Sequence, residues 1–296
     1  MMRLTYFQGH VPNFGDELNP YVFDRLLPEG FLDDNDDELL LGIGSIILDS
    51  MPREPLKHVV GSGHAYLDPP DVADGNWNIV FVRGPRTASN LGLPPSKAIC
   101  DGAVLLRALD DLPSPDESDE IAFMPHYESL DRGFWQAACD LAGITMIDPR
   151  DDIESIISRI RGLRVLVTEA MHGAIVADAV RTPWVAVRNL NKHHRHKWDD
   201  WADALDIDLR RHPLGPSSTM ELYVTLSGGR GQVNGRAGRW SRSRLARPLD
   251  KALLHNAARN LLRLAKCEPQ LSDDVAIERA TDRAVTAVSD FVSSRS

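Results

Sequence analysis

Short apolar runs recur along the first two thirds of the chain, and most of them end in a loop rich in glycine or polar residues. Their near-continuous apolar character predicts strands that are buried on both faces of a sheet. Helical patterns alternate with these runs, which is typical of α/β proteins with parallel sheets. The predicted strands lie at 3–8, 39–43, 57–62, 79–83, 98–100, 121–125, 145–147, 163–168 and 184–187, and helices at 16–27, 133–142 and 152–161.

An acidic segment with two prolines, 110–120, interrupts this repeat. Polar segments of this kind are typical of linkers between domains. We therefore predict a Rossmann-like domain over 1–112 and a second one over 113–208. The remaining residues, 209–296, are predicted to form a basic loop and C-terminal helices that pack on or across these domains.

The segment from Val165 to Val187 contains the strongest candidate for chemistry. It predicts a strand, a tight turn with His172 and Gly173, a helix over 174–180 and a second strand. Ligands of open α/β sheets bind at the carboxyl ends of the strands, and a helix N-terminus there favours an anion. Since histidine changes its charge near neutral pH, the pattern indicates a titratable group beside an anion site. A histidine that only caps the helix is the alternative.

Polar residues at two other strand ends are further candidates. Arg83 and Arg86 flank a Gly-Pro turn, and their planar donor groups suit a phosphate or a carboxylate, unless they only form surface ion pairs. Asn13, Asp16 and Asn19 lie on the loop after the first strand. Asp16 would repel phosphate, so it suits a sugar hydroxyl, a catalytic proton or a helix N-cap.

Charge is distributed unevenly along the chain of 296 residues. The net charge of −10 argues against general affinity for nucleic acid, yet the stretch 209–266 has twelve Lys and Arg and only two acids. This stretch is either a surface for anionic lipid, lipid-linked phosphate or an acidic polymer, or a solvated basic face. Within it, Lys251, His255, Arg259 and Arg263 recur every four residues and predict a cationic stripe on a helix.

Several common sites are not predicted. The three cysteines have no metal-binding or disulfide spacing, and the neighbouring residues His193, His194 and His196 lie among basic residues without a completing ligand. We therefore expect no metal. The glycines at 42–45 and 61–63 match neither the dinucleotide nor the nucleotide triphosphate motif. With no signal peptide and no apolar run of about 20 residues, the chain is expected in the cytoplasm.

Taken together, five motifs resemble the polysaccharide pyruvyl transferase family, and above all the ketal pyruvate transferases of bacterial exopolysaccharide synthesis. The likeness extends over roughly 3–201 and rests on the order and spacing of the motifs. The motifs are NFGDELN (13–19), GIGSI (42–46), FVRGPRT (81–87), DGA (101–103) and TEAMHGAIVADAVRTPWVAV (168–187).

The resemblance implies a glycosyltransferase-B-like fold with two Rossmann-like domains. It also implies transfer of the pyruvyl unit of phosphoenolpyruvate to two hydroxyls of a sugar, with no further cofactor. The implied donor site consists of Arg83, Arg86, Gly173, Arg188 and Arg195. Many family members have arginine two positions before the histidine, where this chain has Ala170.

In this mechanism His172 is the general acid, because its proton can move near neutral pH. Asp16 or Asp101 would orient or deprotonate the sugar hydroxyl. The implied contacts to the acceptor sugar are Asn13, Asn19 and His126.

The acceptor implied by the family is a lipid-linked oligosaccharide or polysaccharide at the inner face of the plasma membrane. Peripheral contact with that membrane is expected through Arg242–Lys266. Two alternatives stay open at this point: a nucleotide-sugar glycosyltransferase of similar fold, and an inactive scaffold for polysaccharide assembly.

Overall fold

Two units, each with its own parallel sheet, make up the computed structural model, which describes residues 2–64, 68–189, 195–227 and 246–295. Unit 1 consists of Met1–Pro113, His196–Asp208 and Ser272–Ser296. Unit 2 consists of Ser114–Arg195 and Leu209–Leu271. The strands are β1 (Arg3–Thr5), β2 (Glu38–Leu41), β3 (Leu56–Val60), β4 (Trp77–Phe81), β5 (Ile121–Met124), β6 (Thr145–Met146), β7 (Val165–Thr168), β8 (Trp184–Val187) and β9 (Arg211–His212).

Helices and strands alternate along most of the chain. The α-helices are α1 (Phe14–Leu26), α2 (Pro85–Asn90), α3 (Tyr127–Arg132), α4 (Trp135–Ala142), α5 (Ile153–Gly162), α6 (Met171–Ala179), α7 (Arg195–Ala204), α8 (Thr219–Leu226), α9 (Arg247–Leu264) and α10 (Asp274–Ser293). Two 3₁₀ helices, Pro95–Lys97 and Gly102–Ala108, belong to unit 1.

Unit 1 has a four-stranded sheet in the order β1-β2-β3-β4, and every neighbouring pair is parallel. The inner strands are buried because helices cover both faces of a parallel sheet, which explains the apolar run of β2. The C-terminal helix α10 packs against β4 and the 3₁₀ helix Gly102–Ala108. Its buried positions recur at three- and four-residue intervals: Ile277, Ala280, Thr281, Ala284, Val288 and Phe291.

Unit 2 has a five-stranded parallel sheet in the order β6-β5-β7-β8-β9. Helix α9 packs on α4, and its Ala257, Leu261 and Leu264 join Phe123, Trp135 and Val167 in one apolar core. Since β5, β7 and β8 are central and parallel, the loops after their carboxyl ends meet at one edge of the sheet. The residues of interest in unit 2 follow these three strands.

The predicted α/β class with parallel sheets is confirmed, and most elements start or end within a few residues of the prediction. The predicted strand at 98–100 is wrong, because only an isolated bridge joins Val82 to Ala98. The sequence analysis missed α3, α7, α8 and the two-residue strand β9.

The units also differ from the predicted consecutive domains 1–112, 113–208 and 209–296. Residues 196–208 belong to unit 1, whereas His172 belongs to unit 2. The buried side chains Trp198, Asp200 and Trp201 account for the packing of residues 196–208 in unit 1. In the described ranges, no helix combines the length and apolar character needed to cross a membrane.

Candidate functional site

The turn between β7 and α6 is fixed by the hydroxyl of Thr168. This oxygen accepts the N–H of Ala170 at 3.0 Å and lies 2.9 Å from the Ala170 carbonyl oxygen. The tight turn lets α6 begin at Met171, three residues earlier than predicted. His172 therefore belongs to the first turn of the helix, where backbone N–H groups have no partner within the helix.

Gly173 allows α6 to approach the sheet closely. A Cβ atom at this position would lie 2.7 Å from Sδ of Met124 and 2.8 Å from Oγ1 of Thr168. Any larger residue would push the first turn of α6 away from β5 and β7. Gly173 thus sets the position of His172, whose side chain is half-buried.

Glu169 joins the loops that follow β5, β7 and β8. Its buried carboxylate accepts the backbone N–H of His126 at 3.0 Å and the hydroxyl of Ser129 at 2.8 Å. Its carbonyl oxygen accepts the side-chain amide of Asn189 at 2.7 Å. Because these bonds bind three strand ends to one another, the turn with His172 is held in a rigid frame.

The predicted residue His126 belongs to this frame. It is the N-cap of α3, and Nδ1 accepts the N–H of Glu128 at 3.4 Å. The ring lies 4.8 Å from the ring of Tyr127, centre to centre. His126 is largely buried, so its backbone position is fixed together with that of Glu169.

Arginines flank the end of β8. Arg195 donates from Nε and Nη2 to the carbonyl oxygen of Asn189, at 3.3 and 3.0 Å. Burial lowers the pKa of Arg195, and the positive charges of Arg188 and Arg211 lower it further. Within the described part of the chain, no ion pair joins Arg188 or Arg195 to a carboxylate. The positive charge at this edge of the sheet is therefore suited to an anionic ligand.

A second buried acid, Glu221, lies in unit 2. Its carboxylate accepts the N–H and hydroxyl of Ser217, both at 2.7 Å, and the indole N–H of Trp135 at 2.6 Å. Burial raises the pKa of Glu221 to about 7, and the charge of Glu169 adds to the rise, although the hydrogen bonds oppose it. Near neutral pH this group is therefore partly protonated.

The two arginines predicted after β4 are matched by acids on α7. Arg83 is fully buried and donates from Nε to Asp200 at 3.0 Å, from Nη1 to the Ser45 hydroxyl at 2.7 Å and from Nη2 to the His64 carbonyl oxygen at 3.4 Å. Its guanidinium is thus occupied by the fold, and we assign it no contact with phosphoenolpyruvate.

Arg86 is half-exposed and pairs with Asp203 at 2.6 Å and Asp199 at 3.6 Å. The hydrogen bond to Asp203 is the main reason that the pKa of Arg86 is raised. The ion pairs weighed as the alternative for Arg83 and Arg86 are therefore present, although the pair of Arg83 is buried and not on the surface. These carboxylates reduce the attraction that Arg86 offers to an anionic donor.

Three further predicted residues are held in unit 1. Asn19 is fully buried, accepts the N–H of Ile43 at 2.7 Å and donates to the Ile43 carbonyl oxygen at 3.0 Å. Asp101 is fully buried and caps the 3₁₀ helix by accepting the N–H of Ala103 at 3.0 Å. Burial makes both side chains unsuited to a sugar. Asn13 donates to Asp16 at 2.7 Å in the first turn of α1, where Asp16 is half-buried.

The predicted residues thus fall into two sets. His126, His172, Gly173, Arg188 and Arg195 belong to unit 2, and Asn13, Asp16, Asn19, Arg83, Arg86 and Asp101 belong to unit 1. The sequence analysis did not single out Glu169, although its position directly after β7 and before His172 was a usable signal.

His193 and His194 lie outside the described residues. Among the residues that are described, no group of three or more His, Cys, Asp or Glu is arranged to hold a metal ion.

Comparison with known proteins covers the strand ends described above. The family model "Polysaccharide pyruvyl transferase" matches residues 71–191. The chain is also similar to the succinoglycan biosynthesis protein ExoV of Rhizobium meliloti (strain 1021). The two are 37% identical over 225 residues, which is 75% of this chain and 71% of that protein. No solved structure matches the chain.

Proposed function

Since the chain belongs to the polysaccharide pyruvyl transferase family, we propose that it transfers the pyruvyl unit of phosphoenolpyruvate to a sugar of an exopolysaccharide or its precursor. The relative's name, which refers to succinoglycan biosynthesis, supports this class of acceptor. The observation that carries the proposal is the link from Arg195 through Asn189 to Glu169, which directly precedes the turn with His172. The glycosyltransferase-B-like arrangement of two domains remains part of the proposal.

Phosphoenolpyruvate has a phosphate and a carboxylate, so its site needs several donors of positive charge. Arg188 and Arg195 are suited to this role because each lacks a carboxylate partner among the described residues. An anion here would relieve the repulsion that contributes to the lowered pKa of Arg195. The first turn of α6, which includes His172 and Gly173, adds the positive end of the helix dipole. These arginines take over the role that the arginine absent at Ala170 has in other family members.

The reaction begins with a proton that His172 gives to the methylene carbon of the donor. The adjacent carbon then becomes electrophilic, and the oxygen of a sugar hydroxyl bonds to it while that hydroxyl loses its proton. A second hydroxyl of the same sugar then bonds to the same carbon and loses its proton to the phosphate, which leaves with its bridging oxygen. The product is a cyclic ketal, and general acid catalysis of this kind contributes about 10²–10⁴ in rate.

The acceptor hydroxyl needs a group that removes its proton. Asp16 is our candidate, because its carboxylate is half-buried and already accepts a hydrogen bond from Asn13. Asp101, the other residue predicted for this role, is fully buried, and we do not propose it here.

We also propose that the enzyme contacts the inner face of the plasma membrane from the cytoplasm, through α9. Lys251, His255, Arg259 and Arg263 are exposed on this helix, opposite its buried Ala257 and Leu261. Such a row of basic side chains is attracted to anionic lipid. Part of the predicted contact, 242–245, lies outside the described residues.

Thermal unfolding with phosphoenolpyruvate, UDP and GDP tests the donor. A ligand that binds only the native protein stabilises it by about 2.7 kcal/mol at a hundredfold excess over Kd. We expect phosphoenolpyruvate to raise Tm, and Arg195→Gln and Arg188→Gln to abolish this rise. The matched control is Arg210→Gln, since Arg210 has its own partner in Glu268 at 3.1 Å. Stabilisation by a nucleotide and not by phosphoenolpyruvate would indicate a glycosyltransferase instead.

A further inference from the structure

Unit 1 has an open cavity of about 580 Å³ that the proposed reaction does not yet use. Its walls include six polar side chains from three segments of the unit, His64, Arg86, Ser89, Asn90, His196 and Asp203. The volume falls within the usual range of small-molecule sites. Polar walls of this composition suit a ligand that forms many hydrogen bonds.

The charges around this cavity are close to balanced. Arg86 is paired with Asp203 and Asp199. The carboxylate of Asp200 is neutralised by Arg83 and accepts the N–H groups of Arg86 and Thr87 at 2.9 and 3.0 Å. Since the described residues around the cavity carry no excess of positive charge, the cavity does not favour a phosphate or a carboxylate, and a neutral polar ligand fits better.

Among the residues of this cavity, His64 most clearly indicates a ligand. It is only 8% exposed, and neither ring nitrogen has a hydrogen-bond partner among the described residues. A buried polar atom without a partner is unfavourable, and a ligand that bonds to it relieves this cost. Neutral imidazole has one donor and one acceptor, as a sugar hydroxyl does.

The backbone of His64 is held in place by the buried ion pair beneath it. Its N–H donates to the hydroxyl of Thr87 at 3.1 Å, and its carbonyl oxygen accepts Nη2 of Arg83 at 3.4 Å. The hydroxyl of Thr87 donates in turn to Asp200 at 2.6 Å. His64 is therefore positioned before any ligand arrives, which reduces the entropic cost of binding.

We propose that this cavity binds a neutral saccharide, with His64, Ser89, Asn90 and the Arg86–Asp203 pair bonding to its hydroxyls. Each of these groups offers a donor and an acceptor, directly or as a pair, and hydroxyls require both. The identification of this saccharide as part of the acceptor rests on the proposed pyruvyl transfer. The proposal that the cavity binds a saccharide is independent of it. The site replaces the sugar contact first expected at the buried Asn19.

Saturation-transfer NMR on the full chain tests the site with glucose, galactose, cellobiose and lactose as probes, beside UDP and inorganic phosphate. We expect transfer to at least one saccharide and a loss of at least fivefold in His64→Ala and Asn90→Ala. His64→Gln, which retains a donor and an acceptor, should restore part of the signal. The control His10→Ala removes an exposed imidazole of unit 1 that does not line the cavity, and it should leave the signal unchanged.

Two results would overturn the inference: transfer to none of the four saccharides, or equal transfer in wild type and His64→Ala. Stronger transfer to UDP or phosphate than to every saccharide would also count against it. The measurement needs no phosphoenolpyruvate. The two proposals can therefore fail separately. If saccharide binding depends on His64 but phosphoenolpyruvate does not stabilise the protein, the proposed donor is refuted and the saccharide site is supported.

Discussion

The guanidinium of Arg83 and the carboxylate of Asp200 form a buried ion pair, with Nε of Arg83 3.0 Å from Oδ2 of Asp200. The two residues are 117 positions apart in the chain. Asp200 also accepts backbone N–H groups at the start of α2. The carboxylate of Asp200 thus connects α7 to the end of β4 and to the first turn of α2.

Asp200→Asn should destabilise the protein strongly, because it leaves the charge of Arg83 buried without a counter-charge. Breaking one side of such a pair costs about 3–5 kcal/mol. The free energy of unfolding in urea measures this loss. Asp203→Asn is the control, since its partner Arg86 is half-exposed and a pair of this kind contributes about 1 kcal/mol at most. Equal losses in the two variants would contradict a structural role for the buried pair.

His172→Asn should abolish pyruvyl transfer without removing the donor site. We expect the rate to fall by about 10²–10⁴, as for loss of a general acid. The stabilisation by phosphoenolpyruvate should persist, because Arg188 and Arg195 are unchanged. The pyruvyl content of the polymer from cells that carry the variant, at equal protein level, measures the transfer. Unchanged content would indicate a scaffold and not an enzyme.

Gly173→Ala should destabilise unit 2 and displace His172. The new methyl group would lie under 3 Å from Met124 and Thr168, and such overpacking costs about 1–3 kcal/mol. Gly215→Ala is the matched control, because its Cβ would lie 3.2 Å from the side-chain amides of Asn256 and Asn260, which are able to move. Thermal unfolding compares the two. A larger loss in Gly215→Ala would show that the close approach of α6 is unimportant.

The free energy of unfolding should depend on pH because of the carboxyl group of Glu221. Its pKa is about 7 in the folded protein, against 4.5 as the ordinary value, so the folded state binds a proton that the unfolded state has lost. Stability therefore decreases as the pH rises from about 4.5 to 7 and is level above that range. At about 1.4 kcal/mol per pKa unit, the decrease is on the order of 3 kcal/mol.

Glu221→Gln removes the titrating group, so its stability should lack this decrease between pH 4.5 and 7. Urea unfolding at a series of pH values measures the slopes of the two proteins. Parallel curves would show that Glu221 is ionised in the folded state throughout this range.

Reversal of one charge on α9 should weaken attachment to membranes. We expect Arg259→Glu to lower the fraction of protein that sediments with anionic vesicles at low salt, and added salt to release the wild type. Arg279→Glu is the control, because Arg279 is also exposed but lies on α10 in unit 1. Wild-type protein that stays in the supernatant at low salt would refute the proposed contact.

Local sequence patterns predicted most of the helices and strands. The features that they missed are short elements or depend on residues far apart in the chain. The apolar run of β8 was placed at its observed bounds, since a buried parallel strand is visible in a few residues of sequence. The two-residue strand β9 is too short for such a signal. The strand predicted at 98–100 reduces to the bridge between Val82 and Ala98.

Site residues could be predicted only as far as their chemistry is local. The turn that presents His172 follows from a strand, a glycine and a helix in sequence. The occupation of Arg83 by Asp200 could not be predicted, because no local pattern links two residues so far apart in the chain. For the same reason Arg83 and Arg86 resemble an anion site in the sequence, whereas in the structure they are paired with acids of α7.

The composition of unit 1 from three separate stretches has a consequence for the newly made chain. On the ribosome, unit 2 is complete once Leu271 has emerged, whereas unit 1 still lacks Ser272–Ser296. Domains usually fold in the order of synthesis, the N-terminal one first. Here that order is reversed, because unit 1 stays incomplete until α10 has emerged, although its first stretch is synthesised before unit 2.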